Sequence, residues 1–183
     1  LKEKAMVQCK NLTKKYGSKV ALRDATLHIY PGNIYALLGP NGSGKTTFMK
    51  ILGDLTKQSS GEVLFEGKPL SIQSRKDIAY LPTESQAYPF MTGGDYGKYH
   101  KSFFPEFQEE EYKRMLEEMD ISLKLPFKAL STGMDKKARI AATLARNAKL
   151  VLLDEPFNGV DLLAREEIEK MILEKKRENS TIL

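Results

Sequence analysis

The sequence predicts an α/β fold with a mostly parallel core sheet, on three observations. Two short apolar runs, Ile34-Tyr35-Ala36-Leu37-Leu38 and Leu150-Val151-Leu152-Leu153, have the length and composition of strands buried on both faces. The first leads into a glycine-rich segment that opens a helical pattern, the strand–turn–helix succession of an α/β unit. The second ends in adjacent carboxylates, Asp154-Glu155, which a strand of this kind presents at the carboxyl edge of its sheet.

In chain order, residues 6–12 and 20–30 read as strands, the second alternating through Ala25, Leu27 and Ile29. Pro31-Gly32-Asn33 is a turn before the 34–38 strand, and a helix follows over about 46–55. Ser59-Ser60-Gly61 punctuates the chain, 62–65 reads as a strand, and Glu66-Gly67-Lys68-Pro69 as a turn. A strand over 78–82 comes next. Residues 85–127 then change character, being aromatic, charged and mostly helical, with breaks at Pro89, Gly93-Gly94 and Pro105. We read them as a small helical subdomain inserted into an α/β body of residues 1–84 and 128–183, the whole forming a single domain. Leu130-Ser131 opens a helix to about Asn147, and 162–176 is amphipathic through Leu163, Ile168, Met171 and Ile172. Thr181-Ile182-Leu183 begins a further strand.

With 183 residues, 41% of them hydrophobic, the chain can bury one sizeable core. No run approaches the ~18 apolar residues of a membrane-spanning helix, and no basic-then-apolar leader opens the chain. A soluble chain is expected, with any membrane role supplied by a partner. The single cysteine, Cys9, lies in the alternating stretch Met6-Val7-Gln8-Cys9 and reads as a buried thiol in a reducing, cytoplasmic setting. The net charge of +5 and pI of about 9.1 come from dispersed basic residues, and residues 106–120 form an acidic block. That balance describes a solvated surface with some bias toward an anionic membrane face, and no nucleic-acid partner is expected.

Gly39-Pro40-Asn41-Gly42-Ser43-Gly44-Lys45-Thr46 fits the phosphate-loop pattern G-x-x-x-x-G-K-[ST]. Glycines allow successive backbone N–H groups to turn inward around phosphate oxygens, and the following helix N-terminus adds a favourable dipole. Gly39, Asn41, Gly42, Ser43, Gly44, Lys45, Thr46 and Thr47 are therefore the candidate nucleotide-binding residues. Lys45 would reach the β- and γ-phosphates and the Thr46 hydroxyl would ligate Mg²⁺. A plain glycine turn has no need of the Lys-Thr pair. Asp154 would hold Mg²⁺ through its water shell, and Glu155 would orient and deprotonate an attacking water. Glu155 and Lys45 are the candidate catalytic residues, Thr46 and Asp154 the candidate metal ligands.

Leu130-Ser131-Thr132-Gly133-Met134 opens the long helix, 23 residues before Asp154. This resembles the signature sequence of ATP-binding cassette (ABC) proteins, usually LSGGQ. The order of phosphate loop, signature and hydrophobic-Asp-Glu is specific to that family, and the resemblance covers essentially the whole chain from Val7 onward. It implies the P-loop NTPase fold of an ABC ATPase, with an antiparallel β-subdomain and a small helical subdomain beside the parallel sheet. It also implies that Tyr16 stacks on adenine and that Asp161, in Asn158-Gly159-Val160-Asp161, takes the acidic D-loop position. Ser131, an N-cap by residue type, and Gly133 would contact the γ-phosphate held by the opposite protomer of a head-to-tail dimer. The implied protein is a Mg²⁺-dependent ATPase that hydrolyses ATP to drive a separate membrane-spanning permease subunit. It would pair with a second ABC ATPase subunit and sit on the cytoplasmic face of the membrane through the permease.

Three departures from the family pattern stand out. Thr132 and Met134 replace Gly and Gln of the signature, similar to a subgroup of bacterial export-type cassettes. Thr83, in Leu81-Pro82-Thr83-Glu84, stands where the family has a glutamine that reaches Mg²⁺; Thr83 is too short, so Glu84 or a bridging water would substitute. The family's switch histidine follows the strand that begins at Thr181, beyond Leu183, and neither His28 nor His100 replaces it. With Leu1 in place of a starting Met, this suggests a truncated chain with poor turnover. Among other cassette ATPases, those of DNA repair and chromosome structure carry long coiled coils between phosphate loop and signature. Only 87 positions separate Gly44 from Ser131, without sustained heptads. Translation-factor cassettes normally carry two phosphate loops, and Glu155 argues against a regulatory subunit with little turnover. Phe103-Phe104-Pro105-Glu106-Phe107, with the signature variant, resembles small bacterial exporters linked to antibiotic or cell-envelope stress. Permease docking is expected near residues 83–99. Of Tyr88, Phe90, Tyr96, Tyr99, Phe103 and Phe104, most should pack in the core and one or two should be exposed.

Overall fold

In the computed structural model, which describes residues 4–178 and 180–183, two sheets organise the chain. β1 (Val7–Tyr16) and β2 (Lys19–Ile29) form an antiparallel hairpin that closes at Tyr16 and Lys19, with Gly17 at φ 58° in the turn. β1 runs past the expected end at residue 12 because register shifts after Cys9 and Leu12 break its two-residue alternation without ending the pairing. β3 (Ser60–Phe65) pairs with the other edge of β1 and turns into β4 (Lys68–Pro69). Glu66 and Gly67 both take positive φ at that turn, 50° and 79°, the geometry that suits the right-handed twist of a two-residue hairpin. The resulting order is β2-β1-β3-β4, antiparallel throughout.

The second sheet is parallel, in the order β5 (Ile78–Leu81), β6 (Leu150–Leu153) and β7 (Thr181–Ile182). Helices flank it on both faces, so β6 can be apolar at every position. Leu150 and Leu152 pack with Phe48, Met49 and Ile51 of α1 (Lys45–Leu52), while Val151 and Leu153 join Ile140 of α4 (Thr132–Leu144) and Ile168 of α5 (Leu162–Lys175). The same alternation divides Ile78 from Ala79 and Leu81 on β5. Cys9 is buried as expected, and burial pushes its thiol up to about 12.

The 34–38 run departs from expectation. It makes one parallel bridge, Ile34 to Ile182, and Ile34 and Leu38 are 44% and 87% exposed. Among the described residues it is bonded to β7, through Asn33 and Tyr35. α5 differs in its buried stripe. Ala164, Ile168, Met171 and Ile172 are buried at helical spacing, whereas Leu163 lies off that stripe and is exposed.

Between β5 and α4 lie α2 (Gly93–Phe103) and α3 (Glu109–Glu118). A capping box in which Thr92 and Asp95 satisfy each other's backbone N–H groups starts α2. Gly97 lets α3 approach, because a Cβ there would stand 2.9 Å from the ring of the fully buried Tyr112. More aromatics are exposed here than expected. Tyr96 is buried and Phe104 packs on the core, but Tyr88, Phe90, Tyr99 and Phe103 are exposed. Tyr99 and Phe103 are one turn apart on the outer face of α2, and Tyr88 stacks on Phe90 in the preceding turn at 5.6 Å. No helix among the described residues is long and apolar enough to cross a membrane.

Candidate nucleotide-binding site

The loop between residue 34 and α1 follows the glycine pattern for geometric reasons. Gly42 and Gly44 take φ of 81° and 97°, the left-handed region where a Cβ is penalised. A Cβ at Gly44 would also stand 2.3 Å from the Ala21 carbonyl oxygen, so β2 presses directly on the loop. α1 starts at Lys45 rather than Thr46. The Lys45 ammonium donates to the carbonyls of Gly39 and Pro40, at 2.9 and 3.0 Å, and so is held across the loop.

Asp154 extends the β6 ladder, its N–H donating to the Leu81 carbonyl at 3.0 Å. The two-residue alternation therefore carries on, and its carboxylate falls on the Leu150/Leu152 face, against which α1 packs. There it is 1% exposed and accepts from the Thr46 hydroxyl and the Tyr80 hydroxyl, each at 3.1 Å. Burial and the charge of Asp154 push the Tyr80 phenol well above its ordinary range, so it keeps the proton it donates. Glu155 turns the chain at φ 51°, a strained value for a residue with a side chain, and its carboxylate accepts from Asn158 Nδ2 at 3.1 Å.

These elements meet in a cleft of about 260 Å³ lined by Tyr16, Asn41, Gly42, Gly44, Lys45, Thr46, Thr47 and Glu155, together with Lys19 and Ala21. Thus the end of β1, the glycine loop, the start of α1 and the end of β6 converge. Asp154 lies behind the cleft through Thr46, and Gly39 and Ser43 are in the loop without lining it. The Thr46 hydroxyl and the Asp154 carboxylate, side by side, are hard oxygen donors that suit Mg²⁺.

Ser131, Gly133 and Asp161 do not line this cleft. Ser131 caps α4 by accepting from the Met134 N–H at 3.2 Å, and Asp161 caps α5 by accepting from the Ala164 N–H at 2.8 Å. Gly133 brings those helix starts together, since a Cβ there would be 3.1 Å from that of Ala164. Thr83 is half-buried and Glu84 exposed at the end of β5.

Comparison with known proteins decides the family. The ABC transporter family model matches residues 22–158. The chain belongs to the ABC transporter family. It is 34% identical over 180 residues to the lantibiotic transport ATP-binding protein SrtF of Streptococcus pyogenes, covering 97% of this chain and 78% of that one. To the lipopolysaccharide export system ATP-binding protein LptB of Haemophilus influenzae it is 31% identical over 190 residues, covering 98% and 79%. A solved structure of the ATP-binding subunit of an ABC transporter superposes with a TM-score of 0.83 at 26% identity, over 97% of this chain and 78% of that one. This ABC chain is thus an ATP-binding subunit with the P-loop NTPase fold.

Sequence reasoning missed three side chains of this ABC subunit. Tyr80 shares the alternating face of Ile78 and holds Asp154. The signal was a hydroxyl-bearing residue near the end of a strand destined for the sheet edge. Lys136 and Arg139, which flank Ile140 on one face of a helix buried all round, are themselves buried and reach the 82–84 loop. Their hydropathy points to solvent, and only the tertiary arrangement reveals them. Both histidines lie outside the cleft lining, His28 on β2 and His100 on α2.

Proposed function

We propose that this subunit binds Mg-ATP in the cleft between Tyr16 and Glu155 and hydrolyses it to drive a separate membrane-spanning permease. The observation that carries this reading is the single cleft that joins an exposed aromatic ring, the lysine of a glycine loop and the carboxylate of Glu155, whose backbone is strained. The adenine stacks on Tyr16. The phosphates lie over residues 41–47, where inward N–H groups, the α1 dipole and Lys45 oppose their charge. Thr46 and Asp154 would hold Mg²⁺, which supplies charge neutralisation on the phosphates. Glu155 takes the proton of the attacking water, with Asn158 steadying its carboxylate.

Ser131, exposed at the start of α4, and Gly133 serve the nucleotide of a second cassette in a head-to-tail pair, with Asp161 beside them. The permease docks beside the end of β5, where a cavity of about 360 Å³ is bordered by Pro82, Gln86, Tyr99 and Phe103. The exposed Tyr88 and Phe90 extend the apolar surface of that region. The signature variant and the relatives named for lantibiotic transport and lipopolysaccharide export favour a role in export across the cell envelope.

Isothermal titration of Mg-ATP together with phosphate release tests the reading. Lys45→Ala should lose binding at least ~100-fold, consistent with the loss of a charge-assisted phosphate contact. Glu155→Gln should bind as wild type and release phosphate ~10²–10⁴-fold more slowly, the range of a lost general base. Equal ATP affinity of wild type and Lys45→Ala would sink the assignment.

A further inference from the structure

We infer that Tyr80 is a positioning residue for Asp154, setting the orientation in which that carboxylate serves a divalent cation. The inference rests on the nucleotide reading of the cleft and adds a residue to it.

The geometry follows from the sheet. Tyr80 pairs in register with Leu152 on the neighbouring parallel strand, and Asp154 is two residues further along on the same face. The para hydroxyl of a tyrosine can span that distance along the sheet; a shorter hydroxyl at position 80 could not. The bonds are also divided between the two oxygens, with Thr46 donating to Oδ1 and Tyr80 to Oδ2. An aspartate's terminal torsion is broad, so one hydrogen bond leaves the carboxylate plane free to twist, whereas one donor on each oxygen fixes it. Thr46 sits on α1 and Tyr80 on β5, so the carboxylate is held between the helix that starts at the phosphate loop and the strand that leads into Thr83.

A purely structural role would mean that the Tyr80 hydroxyl only satisfies a buried acceptor. Removing it would then lower stability and leave metal-dependent binding unchanged. A positioning role predicts a loss confined to the metal-dependent part of nucleotide affinity, because outer partners that orient a metal-binding group typically contribute 10–100-fold to metal affinity or activity.

The experiment titrates ATP into the 183-residue chain twice, once with excess Mg²⁺ and once in EDTA, for wild type and Tyr80→Phe. The expected result is an affinity in EDTA within about twofold of wild type and a loss of about tenfold in the Mg²⁺-dependent gain. Replacing Tyr80 by p-aminophenylalanine, which keeps a para N–H donor on the same ring, should restore most of the gain. That variant keeps the inference falsifiable if Tyr80→Phe does not fold, since a gain lost despite folding and despite the retained donor overturns it. An unchanged gain in a folded Tyr80→Phe overturns the inference while leaving the nucleotide reading intact. A wild type that binds no ATP in either buffer overturns that reading and this inference together.

Discussion

The ammonium of Lys136 lies 3.4 Å from the main-chain carbonyl oxygen of Glu155 and 3.5 Å from that of Thr83. Lys136 is 4% exposed, and burial, reinforced by the charge of Arg139, pushes it below the usual lysine range. Arg139, almost one turn further along α4, reaches the carbonyls of Pro82 and Glu84 at 3.4 Å and is paired with Asp135 at 2.8 Å. Each of the carbonyl contacts is long and individually weak. Together they tie the helix that begins at Ser131 to the main chain of the loop at Thr83 and of the turn at Glu155. That linkage uses carbonyls and so does not depend on the side chain at position 83.

Lys136→Met keeps the length of the side chain and removes its donors. Amide hydrogen exchange should become faster over residues 83–86 and 155–158, while the interior of α4 stays protected. Equal exchange in those segments would show that the buried cation does not restrain them. Global stability should change by only about 1 kcal/mol, because losing weak hydrogen bonds is offset by relief of a buried charge.

Tyr16 is 48% exposed at the end of β1, with the Lys14 ammonium 4.9 Å from its ring centre. Tyr16→Ala should weaken ATP by the ~1–3 kcal/mol typical of base–aromatic stacking. Tripolyphosphate, which has no base, should bind as before. Equal weakening of both ligands would indicate a disturbed fold instead.

The two left-handed glycines of the loop should respond differently to alanine. At Gly42 none of the described residues lies within 4 Å of an added Cβ, so Gly42→Ala meets backbone strain, about 1–2 kcal/mol. At Gly44 the same strain adds to a 2.3 Å clash with the main chain of β2, which cannot yield as a side-chain tip can. Gly44→Ala should therefore lower the melting temperature further and abolish ATP binding, while Gly42→Ala keeps measurable binding. Indistinguishable melting curves for the two variants would contradict the close approach of β2.

His100 packs among Tyr96, Tyr99, Phe104 and Phe107, and its Nδ1 has no hydrogen-bond partner among the described residues. Burial, with a smaller contribution from the Arg146 charge, lowers its pKa from 6.5 to about 4. The folded state thus resists a proton that the unfolded chain accepts, so stability is complete above 6.5 and is lost as the pH falls toward 4. Asp54 acts in a separate window: burial opposes ionisation, but Lys57 and Arg75 hold its carboxyl below 3.8. Thermal melts from pH 7.5 to 4 should fall for wild type and flatten for His100→Phe. Parallel curves would rule out His100 as the source.

Legibility varied with how locally each feature is encoded. The glycine loop was readable because its residues must lie in sequence around one phosphate group. The 150–153 strand was readable because burial on both faces demands an unbroken apolar run, and all four residues are buried. The 34–38 run has the same composition but makes a single bridge among the described residues, and composition cannot report how many neighbours a strand has. The exposed aromatics around α2 were overassigned to the core for a related reason: hydropathy states a preference, and the packing of α3 against one face of α2 decides which rings it is granted to.

From sequence alone came the α/β class, the family resemblance and the order of the chemical motifs, each motif being carried by residues within a few positions of one another. The tertiary structure alone brought Tyr16 into the cleft with Lys45 and Glu155, set Tyr80 on Asp154, and turned Lys136 inward to the Glu155 and Thr83 carbonyls. These are contacts between residues far apart in the chain. Strand register and helix packing set them, and no local pattern of hydrophobicity or charge encodes either.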